Sequence, residues 1–136
     1  MTTRVIVVDA SVLAPALADD GPDGERTRAR LSGTDLAAPA LIDLEVTSLF
    51  RGLVRSGQLT DHRAARALAD LMAIPIERTP HTALLSRIWL LRDNLTAYDA
   101  AYVALAEIMS VPLVTADAKL AKAANQRCTV ELMSSG

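Results

Sequence analysis

The sequence is short of aromatic residues, cysteine and positive charge. Phe, Trp and Tyr make up 3% of its 136 residues, so its hydrophobic core must consist of aliphatic side chains and alanine. The single cysteine, Cys128, excludes an intrachain disulfide and fits a cytoplasmic setting. The formal net charge of −2 is not that of an obligate nucleic-acid binder, so any contact with RNA must depend on a local patch or a metal ion.

The sequence also lacks repeats, interdomain linkers and any apolar run long enough to span a membrane. Its length fits one domain with a full core, and 51% of its residues are hydrophobic, which excludes disorder. We therefore expect a single domain over residues 1–136, with no membrane association.

Short apolar runs alternate with helical patterns along the chain. Strands are predicted at about 4–8, 36–38, 73–78, 111–115 and 129–132. Helices are predicted at about 23–32, 41–55, 60–72, 81–92, 96–109 and 117–124, with a further short helix that follows Ser11 as its N-cap. Pro75 indicates that the third strand lies at a sheet edge. The alternation predicts an α/β fold with a mostly parallel central sheet covered on both faces.

Four acidic residues, Asp9, Glu45, Asp99 and Asp117, follow predicted strands or begin predicted helices. Asp9 and Asp117 come directly after strands, whereas Glu45 and Asp99 lie in the first turns of helices. The carboxyl ends of parallel strands share one edge of the sheet, and the crossover helices begin at that edge. We therefore expect all four carboxylates at this edge, where open α/β sheets place their sites.

Each acid also has a purely structural alternative. Asp9 competes with Ser11 to cap the first helix, and the stretch TAYD makes Asp99 a capping-box residue. Asp117 suits the N-cap of the last helix, and the helix dipole favours Glu45 in a first turn. The sequence leaves these alternatives open for any one acid.

Helical periodicity gives further information about two of these helices. Asp99 belongs to a helix that is apolar all round and therefore buried, so a charge there needs a partner. In helix 41–55, Glu45 lies at one margin of the apolar stripe and Asp43 at the other. Periodicity does not choose between these two acids.

A cluster of carboxylates repels itself unless protons or a cation neutralise it. Carboxylate oxygens select hard ions, so the set predicts Mg²⁺, with Mn²⁺ as a substitute. The chain has no Cys/His cluster for zinc, because His62 and His81 stand alone. Such a site suits the attack of water on a phosphodiester.

Four stretches together resemble a known family: VIVVDASVL, APALIDLEV, LTAYDAAYVALAE and LVTADAKLAKAA. They are similar, in order and over nearly the whole chain, to the PIN-domain ribonucleases, and within these to the VapC-type toxins of bacterial toxin–antitoxin pairs. The resemblance implies a three-layer α/β/α sandwich and Mg²⁺-dependent cleavage of RNA. It implies a homodimer and a cognate antitoxin that inhibits the toxin.

The resemblance also assigns residues. It implies that Asp9, Glu45, Asp99 and Asp117 are the catalytic and metal-binding acids, and it selects Glu45 over Asp43. Ser11 and Thr115 match small hydroxyl positions beside the site, where they would orient a carboxylate or a water molecule.

Further contacts are predicted outside the acid site. Candidate RNA contacts are Arg51 and Arg55, one turn apart on the polar side of helix 41–55, and Lys119 and Lys122, which follow Asp117. Solvated helix faces are the structural alternative for these cations. Trp89 is predicted in the core or in a dimer interface. The amphipathic helices 23–32 and 60–72 are candidates for the walls of a partner-binding groove.

Two other functions compete with the ribonuclease. A haloacid-dehalogenase-like phosphohydrolase also begins with a strand that ends in Asp, but it needs a second Asp where this chain has Ser11. A receiver domain expects an adjacent acid pair, which Asp9 lacks. A non-catalytic PIN-like module that binds RNA or protein would not need to keep four acids that repel one another.

Overall fold

The fold is built on a five-stranded sheet, which a computed structural model describes together with its helices over residues 4–134. The strands are β1 (Arg4–Val8), β2 (Thr34–Pro39), β3 (Ile76–Thr79), β4 (Leu113–Thr115) and β5 (Val130–Leu132). They are arranged in the order β3-β2-β1-β4-β5, and all neighbouring pairs are parallel. The predicted parallel sheet is confirmed, and so is the edge position of the strand that follows Pro75.

The helices cover the sheet in groups. They are α1 (Ala10–Ala18), α2 (Pro22–Leu31), α3 (Ile42–Arg55), α4 (Asp61–Ala73), α5 (Leu85–Leu90), α6 (Ala97–Met109) and α7 (Ala118–Ala124). Helix α1 contacts α2, α3 and α4, whereas α6 packs with α5 and against β1 and β2. Helix α7 lies against β4 and β5. The α/β sandwich expected from the sequence is therefore the observed architecture.

The core lies around the central strands. Val7 and Val8 of β1 are fully buried, and they are aligned with Leu113 and Val114 of β4, which are also fully buried. Strands that are covered on both faces read as continuous apolar runs, which explains why β1 consists almost entirely of Val and Ile. This burial fixes the point at which β1 ends and Asp9 begins.

Three local predictions differ from the structure. Helix α1 begins at Ala10 with Asp9 in the N-cap position, so the predicted cap at Ser11 is wrong. The segment predicted as one helix over 81–92 is a 3₁₀ turn (His81–Leu84) followed by the short helix α5. Trp89 does not belong to the core, since 65% of it is exposed and Arg92 lies 4.3 Å from the centre of its ring.

No helix within residues 4–134 combines the length and the apolar character that crossing a membrane requires.

Candidate active site

Asp9 is a buried carboxylate at the carboxyl end of the central strand, with only 5% of its surface exposed. Its oxygens accept hydrogen bonds from Ser11 Oγ (2.7 Å) and Thr115 Oγ1 (2.6 Å). Although Asp9 occupies the N-cap position of α1, its side chain makes no capping bond. Burial raises the pKa of Asp9 to about 6, the two hydroxyls oppose this rise, and the charge of Asp117 adds to it. The Asp9 carboxylate is thus held by side-chain hydrogen bonds and does not cap helix α1.

The two hydroxyls orient the Asp9 carboxylate. A hydroxyl has a single proton, and both Ser11 and Thr115 donate theirs to Asp9. Their oxygens accept from the backbone amides of Ala116 (2.8 Å) and Asp117 (3.0 Å). Since the only proton of each hydroxyl is donated to Asp9, the geometry favours orientation of a carboxylate over orientation of a water molecule.

Asp99 lies in the first turn of α6, where the capping is done by its neighbour. The hydroxyl of Thr96 accepts a hydrogen bond from the Asp99 amide (3.1 Å), whereas the Thr96 amide makes no return bond to the Asp99 carboxylate. The pKa of Asp99 is raised by burial and by Asp117, against the lowering effects of Lys119 and the Thr96 hydroxyl. The carboxylate of Asp99 is therefore not needed for the cap.

Asp117 does cap a helix. One of its oxygens, Oδ1, accepts hydrogen bonds from the amides of Lys119 (3.0 Å) and Leu120 (3.2 Å) at the start of α7. The other oxygen, Oδ2, has no hydrogen-bond partner among the described residues. The structural alternative therefore applies to Asp117, but it occupies only one of the two oxygens.

The two acids of α3 face different surroundings. Both oxygens of Asp43 accept hydrogen bonds from Nε of Arg78 on β3, at 3.0 and 2.8 Å. Glu45 instead accepts a 2.5 Å hydrogen bond from the hydroxyl of Tyr102 on α6. Burial raises the pKa of Glu45, and so does the charge of Asp99, whereas the bond from Tyr102 lowers it. Of the two, Glu45 is the acid whose charge is coupled to Asp99.

The four predicted acids form a continuous electrostatic series. Glu45 and Asp99 are coupled, as are Asp99 and Asp117, and Asp117 and Asp9. Within residues 4–134, no three His, Cys, Asp or Glu side chains lie together at separations that would hold a metal ion. The charges of neighbouring carboxylates thus help to raise the pKa values of Asp9, Glu45 and Asp99, but the four groups do not converge on one point at ligating distances.

The predicted cationic contacts lie at different distances from these acids. Lys119 is close enough to lower the pKa of Asp99. Arg51 and Arg55 are exposed on α3, and the helical rise of 1.5 Å per residue puts them about 9 and 15 Å along the axis from Glu45. The structure therefore places Lys119 beside the acids and the two arginines away from them.

Tyr102 is the residue that the sequence reasoning missed as part of the site. It is 2% exposed and lies one turn after Asp99 on α6. A buried tyrosine hydroxyl needs a hydrogen-bond partner. Because Tyr102 lies three residues after Asp99 on the same helix, this spacing could have placed its hydroxyl near the acids and pointed to Glu45 as the partner.

We expect Tyr102→Phe to lower the rate of the RNA cleavage that the resemblance implies by about tenfold, because a hydrogen bond to a charged group is worth about 1.5–3 kcal/mol. Phenylalanine keeps the packing of the ring and removes only the bond to Glu45. The matched control is Tyr98→Phe on the same helix, since Tyr98 is 66% exposed. Steady-state rates and melting curves for both variants test this, and equal rates for Tyr102→Phe and wild type would contradict it.

Comparison with known proteins identifies the family of this chain. The family model described as PIN domain matches residues 6–126. "VapC ribonuclease Mb0985" of Mycobacterium bovis is 38% identical over 95% of this chain and 98% of its own length. "Ribonuclease VapC1" of Mycobacterium tuberculosis is 39% identical over 93% of this chain and 96% of its own length.

Solved structures show the same fold. PAE2754 from Pyrobaculum aerophilum superposes with a TM-score of 0.66 at 25% identity, covering 93% of this chain and 83% of that one. A chain of VapBC2 from Rickettsia felis, bound to a DNA fragment from its promoter, gives a TM-score of 0.65 at 12% identity over 93% of this chain and 97% of that one. Given the family match and the identity to curated VapC ribonucleases over nearly the full length, the chain belongs to the VapC ribonucleases of the PIN-domain family.

Proposed function

We propose that this protein is a metal-dependent endoribonuclease that acts as the toxin of a bacterial toxin–antitoxin pair and hydrolyses RNA in the cytoplasm. The observation that carries the proposal is Asp9. It is a buried carboxylate whose pKa is raised to about 6, it is held by two hydroxyls, and it is coupled to further acids. Groups with strongly shifted pKa values at the carboxyl edge of a parallel sheet are typical of active sites.

The donor set fits a hard divalent cation. All four candidate ligands, Asp9, Glu45, Asp99 and Asp117, are carboxylates, which suit Mg²⁺ or Mn²⁺. The chemistry that such an ion supplies when bound is orientation and deprotonation of water and stabilisation of charge on the phosphate. Because the carboxylates are not yet at ligating separations, we expect binding to draw them together.

The residues around the acids have distinct tasks in this proposal. Ser11 and Thr115 fix the direction of the Asp9 carboxylate, and Tyr102 fixes that of Glu45. Asp117 presents its second oxygen while its first one caps α7. This preorganisation lowers the cost of assembling the site around RNA.

Glu45 and Asp43 offer a matched pair of variants that test the proposal. We expect Glu45→Gln to lower the rate of RNA cleavage about tenfold or more, because it removes a charged ligand. Asp43→Asn should change the rate less than about twofold and should instead reduce stability, because it weakens the pair with Arg78. Cleavage of single-stranded RNA in millimolar Mg²⁺, with melting curves for both variants, provides the measurement.

The opposite pattern would count against this site. Loss of cleavage in Asp43→Asn together with an active Glu45→Gln would mean that the wrong acid of α3 has been assigned. Full cleavage by the wild type in excess EDTA would contradict the metal-dependent mechanism as a whole.

An antitoxin is the second partner in the proposal, and an apolar groove supports it. The groove has a volume of about 1060 Å³ and lies between α1, α3 and α4, with Leu49, Leu53 and Leu59 in its lining and Arg63 at its end. The sequence prediction paired α4 with α2, and residues of these two helices line a separate, smaller groove of about 610 Å³, whereas the larger groove has α1 and α3 as its opposite walls. The groove suits the apolar face of an antitoxin segment.

A homodimer is the third element of the proposal, and exposed apolar residues on α5 support it. Leu85, Trp89 and Leu90 are 50%, 65% and 65% exposed. Large aromatic residues at such a surface are typical anchors of interfaces. We expect Trp89→Ala to shift the protein from dimer towards monomer in light-scattering measurements, whereas Tyr98→Ala should not. A Trp89→Ala protein that stays dimeric would contradict this assignment of the interface.

The rival functions fit the geometry less well. The position of the dehalogenase general acid is occupied by Ser11, whose only proton is donated to Asp9. A non-catalytic module would have no use for a buried carboxylate with a raised pKa. The cleavage assay described above distinguishes the ribonuclease from a non-catalytic module, since a pure binder would retain RNA without cutting it.

A further inference from the structure

A groove with a basic lining lies next to the acids, between α7 and the segment that leads into α6. It has a volume of about 400 Å³ and is lined mainly by Asn94, Leu95, Lys119, Lys122, Gln126 and Arg127. None of its lining residues is acidic. We call it the α7 groove.

The cations of the α7 groove are not engaged elsewhere in the described part of the chain. The ion pairs between residues 4 and 134 use Arg26, Arg30, Arg63, Arg78 and Arg87. In contrast, the side chains of Lys119, Lys122 and Arg127 form neither an ion pair nor a hydrogen bond there. Their charges are therefore available to an anionic ligand.

Both walls of the groove begin at a candidate catalytic acid. The amide of Lys119 donates a hydrogen bond to Asp117 (3.0 Å). On the other wall, Leu95 directly precedes Thr96, whose hydroxyl caps the helix that carries Asp99. A ligand in the groove would thus run directly into the site.

The polar residues of α7 and the turn after it share one side. Lys119 and Lys122 are one turn apart on α7, and Gln126 and Arg127 in the turn that follows line the same groove. After α7 ends, the Arg127 amide donates to the carbonyl of Ala124 (2.8 Å), so the turn keeps Arg127 near the helix. The groove therefore presents the positive charges of Lys119, Lys122 and Arg127 together with the side-chain amide of Gln126.

We propose that the α7 groove binds the backbone of single-stranded RNA on one side of the bond that is cut. This inference rests on the proposed ribonuclease function. Four acids repel an RNA strand, so phosphates beside the site need nearby cations, and Lys122 and Arg127 supply them. The side-chain amides of Asn94 and Gln126 make no hydrogen bond among the described residues, so they are available to the Watson–Crick edges of bases, which only an unpaired strand exposes.

The test compares variants with the same change in charge. Lys122→Ala/Arg127→Ala removes two groove cations, and Arg4→Ala/Arg66→Ala removes two exposed arginines from β1 and α4. Lys119 is left intact because it is next to the acids. Binding of a short fluorescein-labelled single-stranded RNA of mixed sequence is measured by anisotropy in EDTA over a series of salt concentrations.

We expect the groove variant to bind RNA about tenfold more weakly than wild type. The slope of log affinity against log salt should fall by about 1.4, since each lost phosphate contact on a single strand contributes about 0.7. The control pair should stay within about twofold of wild type. In Mg²⁺ the groove variant should show a raised KM for RNA cleavage, with kcat nearly unchanged.

Other results would overturn the inference. They are wild-type affinity and slope in the groove variant, equal losses in the control pair, or a loss confined to Arg51→Ala/Arg55→Ala on α3. Equal binding of a duplex with the same sequence would overturn the assignment to single strands. Cleavage that depends on Asp9 and metal but not on the groove would overturn only this inference, whereas groove-dependent binding without any cleavage would overturn only the proposed function.

Discussion

Asp9→Asn is expected to slow RNA cleavage about a hundredfold or more, because it removes a charged ligand worth several kcal/mol from the buried end of the acid series. Asparagine has nearly the same shape as aspartate, and the Ser11 and Thr115 hydroxyls can turn to accept from its amide. The variant should therefore fold normally, and the loss should appear in kcat. Cleavage of a labelled single-stranded RNA in millimolar Mg²⁺ provides the measurement.

The control is Asp35→Asn, which removes the same charge from an exposed position on β2. This variant should retain wild-type activity, and it should recover that activity when Mg²⁺ is added back after treatment with EDTA. If Asp9→Asn cleaves RNA as fast as Asp35→Asn does, Asp9 has no catalytic role and the proposed mechanism is wrong.

Asp9 also predicts how stability varies with pH in the absence of metal. Its pKa in the folded protein is about 6, against 3.8 for the ordinary group, so the folded state binds the proton more tightly than the unfolded state. The difference corresponds to a cost of about 3 kcal/mol when the group is charged. That cost is fully present above pH 6 and is relieved as the pH falls through 6 towards 3.8. The wild type in EDTA should therefore melt at a higher temperature at pH 5.5 than at pH 7, and Asp9→Asn should lack this gain.

The second large effect is expected from Asp99→Asn, and it concerns metal binding. In EDTA at neutral pH the variant should be as stable as the wild type or more stable, because it relieves the repulsion from Asp117 and Glu45. Mg²⁺ should stabilise the wild type by mass action, by about 2.7 kcal/mol at a hundred times the dissociation constant, and the variant much less. Melting curves of both proteins in EDTA and in millimolar Mg²⁺ measure these differences.

Thr96→Ala is the matched control, since the structure assigns the capping bond of α6 to the Thr96 hydroxyl. It should lower stability by about 1 kcal/mol with and without Mg²⁺. If Asp99→Asn behaves like Thr96→Ala, and Mg²⁺ shifts all three proteins equally, Asp99 is a capping residue and must be removed from the site.

Much of the fold follows from the sequence because its signals are local. The Val-rich run before Asp9 predicts β1 with its observed bounds, and Pro75 marks the edge strand. The alternation of strands and helices is enough to predict a parallel sheet, and with it a shared edge for the acids that follow β1 and β4. The bounds of most other strands and helices differ from the prediction by one to three residues. This is expected, because hydrogen-bond geometry determines where each element is taken to begin and end.

The remaining features depend on partners that are distant in sequence. The Ser11 hydroxyl donates to nearby Asp9, but it also accepts from the amide of Ala116, 105 positions away, which no local signal indicates, so the helix start is misplaced. The roles of Asp43 and Glu45 are decided by Arg78 and Tyr102, which periodicity along α3 cannot show. Trp89 looks like a core residue because hydropathy does not tell which apolar side chains a surface exposes.

The hydrogen bonds around Asp9 join the two ends of the polypeptide. Thr115 and Asp9 are 106 positions apart, and Ala116 and Ser11 are 105 apart. During translation, a nascent chain that carries β1, α1 and even α6 still lacks Thr115, one of the two hydroxyl residues that orient Asp9. Chains grow at about 5–20 residues per second, so most of the synthesis time passes before that residue exists. The candidate site, which includes Thr115 and Asp117, can therefore assemble only when about the last sixth of the chain is being made, and chains that end before residue 115 lack part of it.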